Sequence, residues 1–156
     1  TEVPDAVIDI YSAGLFRAHT TGDVPEKLAG VYEKVKTGLS HNIQIVQPSS
    51  DLMMAKAYRE ASVHIYPGIE TEMYCSTLAE SQASGLPCVA RSLGAVSERV
   101  KNGQTGFIVP DMEAMSNVCV HLLSQTQSRQ NMGDDCKMMQ RARNWDVVAA
   151  EFEAYF

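Results

Sequence analysis

The chain has 156 residues, of which 45% are hydrophobic and 21% charged, and its 13 basic and 19 acidic residues give a formal net charge of −6. A chain of this length forms one domain that buries about two-thirds of its unfolded surface. The acidic balance argues against nonspecific binding to nucleic acid or to anionic membranes. No apolar run approaches the roughly 20 residues that span a bilayer, and no signal peptide is evident. We therefore expect a cytoplasmic protein without a transmembrane segment.

The first part of the chain alternates strands and helices. In chain order we predict a strand over 6–11, a helix over 25–39, a strand over 42–47 and a helix over 50–60. The first strand should end at Ser12, and Asp23 with Glu26 resembles a capping box at the start of the first helix. Pro48 breaks the second strand, and the serines that follow it favour the start of a helix.

The alternation continues in the second part. We predict strands over 63–66, 88–90 and 105–109, and helices over 76–83, 112–122, 127–141 and 145–152. Gly85 should end the first of these helices, and the last one carries an apolar stripe that includes Trp145 and Phe152. Strands that alternate with helices predict an α/β fold with a doubly wound parallel sheet. In such sheets ligands bind outside the carboxyl ends of the strands.

The cysteines give no sign of a metal site. Cys75, Cys88, Cys119 and Cys136 are widely spaced, without a CxxC pair or histidines at zinc spacing. We expect reduced and mostly buried thiols. Cys75 alone has a chemical reason to react, because a helix N-terminus lowers a thiol pKa. His64 lies among apolar residues of a predicted strand, which favours a packed core histidine over a catalytic one.

The most informative segment runs from Glu72 to Ala90. Seven residues separate Glu72 from Glu80, and the first carboxylate stands before a predicted helix while the second lies inside it. A helix N-terminus presents unpaired N–H groups that suit a phosphate. Carboxylates make strong hydrogen bonds to sugar hydroxyls. A phosphate flanked by sugars is a nucleotide sugar, so this segment predicts a nucleotide-sugar site.

This segment resembles the Glu-x7-Glu signature of retaining GT-B glycosyltransferases, the group of glycogen synthases, sucrose synthases and bacterial mannosyltransferases. Residues 93–100 resemble the glycine-pair segment of the group, and residues 102–109 resemble its next strand. Met132-Gly133 and Trp145 match its helical tail. The resemblance implies a Rossmann-like sheet, the C-terminal half of a GT-B fold, in one nucleotide-sugar-binding domain over 1–156.

The resemblance also implies roles for individual residues. Glu72 would be the catalytic residue and would contact the donor sugar hydroxyls near the reacting carbon, and Glu80 would bind the ribose of the nucleotide. The turn at Gln47-Pro48 would lie near the base. The distal phosphate would be held by the backbone amides of Tyr74, Cys75, Ser76 and Thr77. The group implies retention of anomeric configuration, with a nucleotide-diphosphate sugar as substrate and no metal or other cofactor.

Several features depart from the group. Cys75 stands where a glycine is common, and Ala95 replaces the second glycine of the glycine pair. The arginine and lysine that clamp the diphosphate would belong to a strand and helix preceding Ala6. We therefore expect a fragment of a two-domain enzyme that lacks its first strand and helix and is inactive alone. An N-terminal acceptor domain would be its partner and could attach it peripherally to a membrane, and the free sheet edge would invite self-association.

Two other functions stay open at this point. The missing basic clamp and Cys75 favour a non-catalytic module that binds a nucleotide sugar or a partner protein. Both glutamates disfavour it, because a pure scaffold does not need them. A sugar-nucleotide epimerase of the same fold is the third alternative, and the Glu-x7-Glu segment argues against it. The base, the sugar and the acceptor cannot be read from the sequence.

Overall fold

A computed structural model describes residues 3–39, 41–142 and 144–156 of the chain. The chain divides into two compact units, which we call the N-terminal unit (Thr1–Met54) and the C-terminal unit (Ala55–Phe156). The prediction of one domain over 1–156 therefore stays a prediction.

The N-terminal unit contains a parallel pair of strands with helices between them. Its elements are β1 (Ile8–Tyr11), α1 (Ala13–Thr21), α2 (Glu26–Gly38) and β2 (Ile43–Val46). The next helix, α3 (Asp51–Glu60), contains the boundary between the units. Strand β1 pairs in parallel with β2, with Ile8 opposite Ile43. Leu15, Ala18 and Tyr32 are the buried residues of a small core between the helices and this pair.

Two predictions for this unit are wrong. Helix α1 was not predicted, and it carries His19 with its side chain exposed. The Ser12 side chain caps α1 by accepting from the Leu15 amide, and Gly22 ends the helix in the left-handed conformation. Asp23 does not cap α2, because that helix begins after Pro25 and the Asp23 carboxylate pairs with Arg17 instead.

The C-terminal unit is a three-stranded parallel sheet surrounded by helices. Its elements are β3 (His64–Tyr66), α4 (Ser76–Ala83), β4 (Cys88–Arg91), α5 (Val96–Arg99), β5 (Gly106–Val109), α6 (Met112–Ser124), α7 (Thr126–Arg141) and α8 (Trp145–Glu153). The strand order is β3-β4-β5, so the central strand is β4. The predicted α/β class with parallel strands is thus confirmed, and the described strands form two separate sheets.

Two apolar clusters lie on opposite faces of this sheet, because side chains alternate along the central strand. Cys88 and Ala90 point into a cluster that includes Leu78 of α4. Val89, which lies between them in sequence, belongs to a cluster with Met115 of α6. Helix α4 packs against this sheet and against α7, and its buried residues are Leu78, Ser81 and Gln82.

The last helix behaves differently. Its apolar stripe was predicted from periodicity, but no described residue of α8 is buried. Trp145 is 78% exposed and Phe152 is 65% exposed. The short helix α5 was not predicted at all, because four residues give too little periodicity to recognise. Among the described residues, no helix is long and apolar enough to span a membrane.

Candidate functional site

The site is a loop that leaves the carboxyl end of β3 and enters α4. Helix α4 begins at Ser76, as predicted, and Cys75 is its N-cap residue. Gly85 follows the helix with φ +85°, a conformation that favours glycine. The chain then returns at once into β4, which pairs with β3. The loop therefore lies at the edge of the sheet where ligands bind in α/β folds.

Loop amides and a tyrosine hydroxyl hold the carboxylate of Glu72. The amides of Cys75 and Tyr74 donate to its Oε1 over 3.0 and 3.3 Å. The Tyr66 hydroxyl donates to its Oε2 over 3.0 Å. These bonds lower the pKa of the Glu72 carboxyl, the Cys75 amide most, then the Tyr66 hydroxyl and then the Tyr74 amide. Glu72 is consequently a fixed, ionised acceptor at the N-terminus of α4.

Cys75 adopts the left-handed conformation, with φ 54° and ψ 51°. This explains why a glycine is common here in the group that the sequence resembles, since a Cβ in this region costs about 1–2 kcal/mol. The Cys75 side chain is fully buried in a cluster that includes Leu78 and Val96. Burial raises the pKa of the Cys75 thiol. The chemical reason for a reactive thiol is therefore lost, because burial outweighs the helix N-terminus.

A second loop holds the backbone of Glu72. The Ala95 amide donates to the Glu72 carbonyl oxygen over 2.9 Å. Gly94 has φ +55°, and any Cβ at this position would collide with that same carbonyl oxygen. The first glycine of the predicted glycine pair is thus required by a close backbone approach. The second one is not, and Ala95 fills its place.

Arg99 of α5 contacts the loop between β3 and α4. Its Nε donates to the Tyr74 carbonyl oxygen over 2.9 Å, and its guanidinium lies 4.3 Å from the centre of the Tyr74 ring. Such a cation–π contact is worth about 0.5–1 kcal/mol at an exposed site. Arg99 also lines a groove of about 570 Å³ with Met73, Tyr74, Glu98 and Trp145.

Glu80 is exposed on α4. The Tyr58 hydroxyl lies 3.5 Å from its Oε2. Glu80 therefore presents its carboxylate to solvent, while Glu72 is held by the protein. The structure places both glutamates in one loop-and-helix unit, and their predicted contacts with ribose and sugar stay predictions.

The predicted phosphate-binding amides divide into two pairs. The amides of Tyr74 and Cys75 already donate to Glu72, so a phosphate would reach them only if that carboxylate moved. Ser76 and Thr77 are the first two helical residues and are exposed, and helix geometry gives their amides no intrahelical acceptor. A helix N-terminus of this kind suits an anion, and phosphate binding by these two amides stays a prediction.

His64 joins β3 to α4 and is no part of the exposed site. The Ser81 hydroxyl donates to the Leu78 carbonyl oxygen, so it accepts from His64 Nδ1 over 2.8 Å. The His64 ring also contacts the rings of Tyr58 and Tyr66. Burial lowers its pKa to about 4, so the imidazole is neutral near pH 7. The geometry matches a packed histidine.

Gln47 and Pro48 follow β2 in the N-terminal unit, and their predicted position near the base stays a prediction. All four cysteines are free and buried, which confirms the predicted thiols. Within residues 3–39, 41–142 and 144–156, no three His, Cys, Asp or Glu side chains are grouped as metal ligands.

Comparison with known proteins decides the family. A family model described as "Glycosyl transferases group 1" matches residues 5–125 of the chain. The chain belongs to this glycosyltransferase family. The phosphatidyl-myo-inositol mannosyltransferase of Mycobacterium leprae is 31% identical over 116 residues, which cover 73% of this chain and 31% of that protein. The GDP-mannose-dependent alpha-mannosyltransferase of Mycolicibacterium smegmatis is 30% identical over 107 residues, 66% of this chain and 27% of that protein.

Solved glycosyltransferase structures share the fold. A sucrose-phosphate synthase from Thermosynechococcus elongatus matches with a TM-score of 0.75 and 18% identity, over 97% of this chain and 45% of its own. HepE of Anabaena, solved in complex with UDP, matches with a TM-score of 0.74 and 14% identity, over 99% of this chain and 50% of its own. The predicted C-terminal half of a GT-B fold is thereby confirmed. The glycosyltransferase chain spans about a third of the length of the curated relatives it matches.

Sequence reasoning missed the side chains that support the glycosyltransferase motif. Tyr66, Tyr58 and Arg99 lie outside the Glu-x7-Glu segment, and each contacts a residue inside it. Tyr66 could have been suspected, because it is the last residue of a strand that ends at the motif. Arg99 gave no signal, since it reaches Tyr74 from a helix that the sequence did not predict.

Proposed function

We propose that this chain is the donor-binding half of a retaining hexosyltransferase that uses a nucleotide-diphosphate sugar. One observation carries the proposal. At the carboxyl edge of a parallel sheet, a fixed carboxylate (Glu72) precedes α4, the amides of Ser76 and Thr77 begin the helix, and an exposed carboxylate (Glu80) lies in its second turn. Carboxylates accept hydrogen bonds from sugar hydroxyls, so a carboxylate on each side of an anion site suits a phosphate with a sugar at each end.

The residues take separate roles in this proposal. Glu72 accepts from a hydroxyl of the transferred sugar, and Glu80 accepts from the ribose. The amides of Ser76 and Thr77 hold the distal phosphate, which becomes the leaving group when the glycosidic bond breaks. Negative charge grows on this phosphate in the transition state, so preorganised N–H donors stabilise the transition state more than the ground state. Losing one such donor typically costs about 3–4 kcal/mol.

The relatives support the substrate class. One is named a GDP-mannose-dependent alpha-mannosyltransferase, and the structural neighbour HepE was solved with UDP and with UDP-glucose. We propose that the acceptor is bound by a separate N-terminal domain, because the matched stretch covers only about a third of the curated relatives. Without that domain the chain would bind the donor but would not transfer the sugar.

Calorimetric titration with UDP-glucose, GDP-mannose and ADP-glucose tests donor binding. We expect one nucleotide class to bind, and Glu80→Ala to weaken it at least tenfold, since a hydrogen bond to a charged group is worth roughly 1.5–3 kcal/mol. Glu113→Ala, which removes an exposed glutamate from the first turn of α6, is the matched control. If no nucleotide sugar binds, the proposal fails and a non-catalytic module becomes the better description.

Stereochemistry and metal dependence have their own tests. In the protein with its acceptor domain, we expect the product to keep the anomeric configuration of the donor, as read by proton NMR of the new linkage. We propose that transfer needs no metal, so EDTA should leave its rate unchanged. An inverted product would contradict the retaining mechanism, and loss of activity restored by Mg²⁺ would contradict the metal-free one.

The free edge of β1 supports a further partner prediction. In the described residues β1 pairs with β2 only, and Ile8 is exposed on it. Edge strands with exposed apolar side chains pair with other chains, so we propose self-association of this chain at high concentration. Sedimentation velocity should show a dimer whose population grows with concentration. A monomer throughout would count against this idea.

A further inference from the structure

The Glu72 carboxylate is positioned by a tyrosine from the sheet as well as by its own loop. Its Oε1 accepts two loop amides, those of Tyr74 and Cys75. Its Oε2 accepts the Tyr66 hydroxyl over 3.0 Å. A carboxylate offers about four acceptor positions, two on each oxygen. Oε1 therefore faces the loop amides, and Oε2 is the oxygen that Tyr66 orients.

Tyr66 is placed by regular structure. It is the last residue of β3, where it lies opposite Ala90 of β4 in the parallel register. Its ring packs against the buried cluster that contains Cys75, and it meets the His64 ring edge-on with the ring centres 5.7 Å apart. A side chain fixed by a strand and a packed ring positions its hydroxyl better than a loop residue could.

The protonation states agree with this direction of donation. Burial and the hydrogen bond to Glu72 raise the pKa of the Tyr66 hydroxyl. The pKa of the Glu72 carboxyl is lowered, first by the Cys75 amide and then by Tyr66. The proton therefore stays on Tyr66 at neutral pH. Tyr66 remains a donor, and Glu72 remains an acceptor.

We propose that Tyr66 is a positioning residue for the donor sugar: its hydroxyl fixes the Glu72 carboxylate in the orientation in which Oε2 accepts from a hydroxyl of that sugar. This inference rests on the proposed function of Glu72 and makes it more specific. It implies that Tyr66 acts on the sugar part of the donor and leaves binding of the nucleotide part unchanged.

Tyr66→Phe tests the proposal, because it removes the hydroxyl and keeps the packed ring. In the variant we expect the pKa of the Glu72 carboxyl to rise above the wild-type value. Carbon-detected NMR on protein labelled with ¹³C-glutamate measures this pKa. Tyr155→Phe is the matched control, since Tyr155 is 88% exposed and should leave that pKa unchanged. An unchanged pKa in Tyr66→Phe would overturn the proposal.

Binding measurements distinguish a failure of the positioning role of Tyr66 from a failure of the proposed function. With UDP-glucose and GDP-mannose as probes, beside UDP and GDP alone, we expect Tyr66→Phe to weaken the nucleotide sugar about tenfold and the plain nucleotide not at all. Equal affinity of wild type and variant for the nucleotide sugar would overturn the role of Tyr66 alone. Equal weakening of both probes would also overturn it, because a general structural defect would explain the loss. No binding to wild type would overturn the proposed function together with this role.

Discussion

Helices α4 and α8 both carry apolar residues at helical spacing, and the C-terminal unit treats them in opposite ways. Helix α4 is short, but Leu78, Ser81 and Gln82 are buried and its first turn is held by the loop from β3. Helix α8 has the clearer apolar stripe and buries none of its described residues. Periodicity thus identifies the face of a helix that suits an apolar partner, but only the surrounding fold determines whether a partner is present.

The largest expected difference between these helices is in stability. Leu78 is fully buried, so Leu78→Ala should lower the free energy of unfolding by about 2–5 kcal/mol through lost burial and the cavity left behind. Trp145 is 78% exposed, so Trp145→Ala should change it by less than about 1 kcal/mol. Urea unfolding of both variants measures the contrast. A larger loss for Trp145→Ala would show that α8 is packed in solution.

The attachment of α4 to β3 should also depend on pH. The folded-state pKa of His64 is about 4, against its ordinary value of 6.5. Between these values the unfolded chain binds the proton more strongly, so stability is complete above pH 6.5 and falls as the pH drops toward 4. The full shift corresponds to roughly 3 kcal/mol.

Unfolding free energies measured from pH 7 to pH 4 test this dependence. His64→Asn keeps an N–H donor near the position of Nδ1, so it can still bond Ser81 but cannot titrate. We expect it to flatten the decline below pH 6.5. His19→Asn, at an exposed histidine of α1, should leave the decline intact. Equal slopes in all three proteins would show that His64 does not determine the acid sensitivity.

A smaller effect is expected at the N-cap of α4. Cys75 has φ 54°, so Cys75→Ala keeps the cost of a Cβ in the left-handed region while Cys75→Gly removes it. Both variants lose the buried sulfur. We therefore expect the glycine variant to be more stable than the alanine variant by about 1 kcal/mol, the reverse of the order inside a helix. Thermal unfolding decides the order, and a more stable alanine variant would contradict the conformation assigned here.

Sequence reasoning was most successful where short-range chemistry determines the structure. The start of α4 at Ser76, the break after Gly85 and the strand that follows were predicted from residue types alone, since caps and turns depend on neighbours in sequence. Helix α1 was missed, although Ser12 as N-cap and Gly22 as end signal were present, because its threonines and glycine are poor helix formers. The mistaken cap at Asp23 has a local cause, because α2 begins only after Pro25 and the Asp23 carboxylate pairs with Arg17.

The same limit applies to the site. Glu72 and Glu80 were identified from their spacing and context, while the groups that orient them were not. Tyr66 reaches Glu72 through the placement of a strand end, and Arg99 reaches Tyr74 across 25 residues of sequence. A sequence pattern indicates candidate chemical groups more readily than the side chains that hold them in place. Many different side chains can serve as such supports.

The hydrogen bond between the Ala95 amide and the Glu72 carbonyl oxygen has a consequence for how this site can change over evolution. It consists of a backbone N–H and a backbone carbonyl, made possible by the glycine beside it. The exposed side chains of the loop and first turn, among them Met73, Ser76 and Thr77, take no part in it. Substitutions at these positions can therefore change which ligand the loop binds, while the path of the main chain stays the same. Gly94 itself should stay a glycine, because a Cβ at this position would collide with the Glu72 carbonyl oxygen.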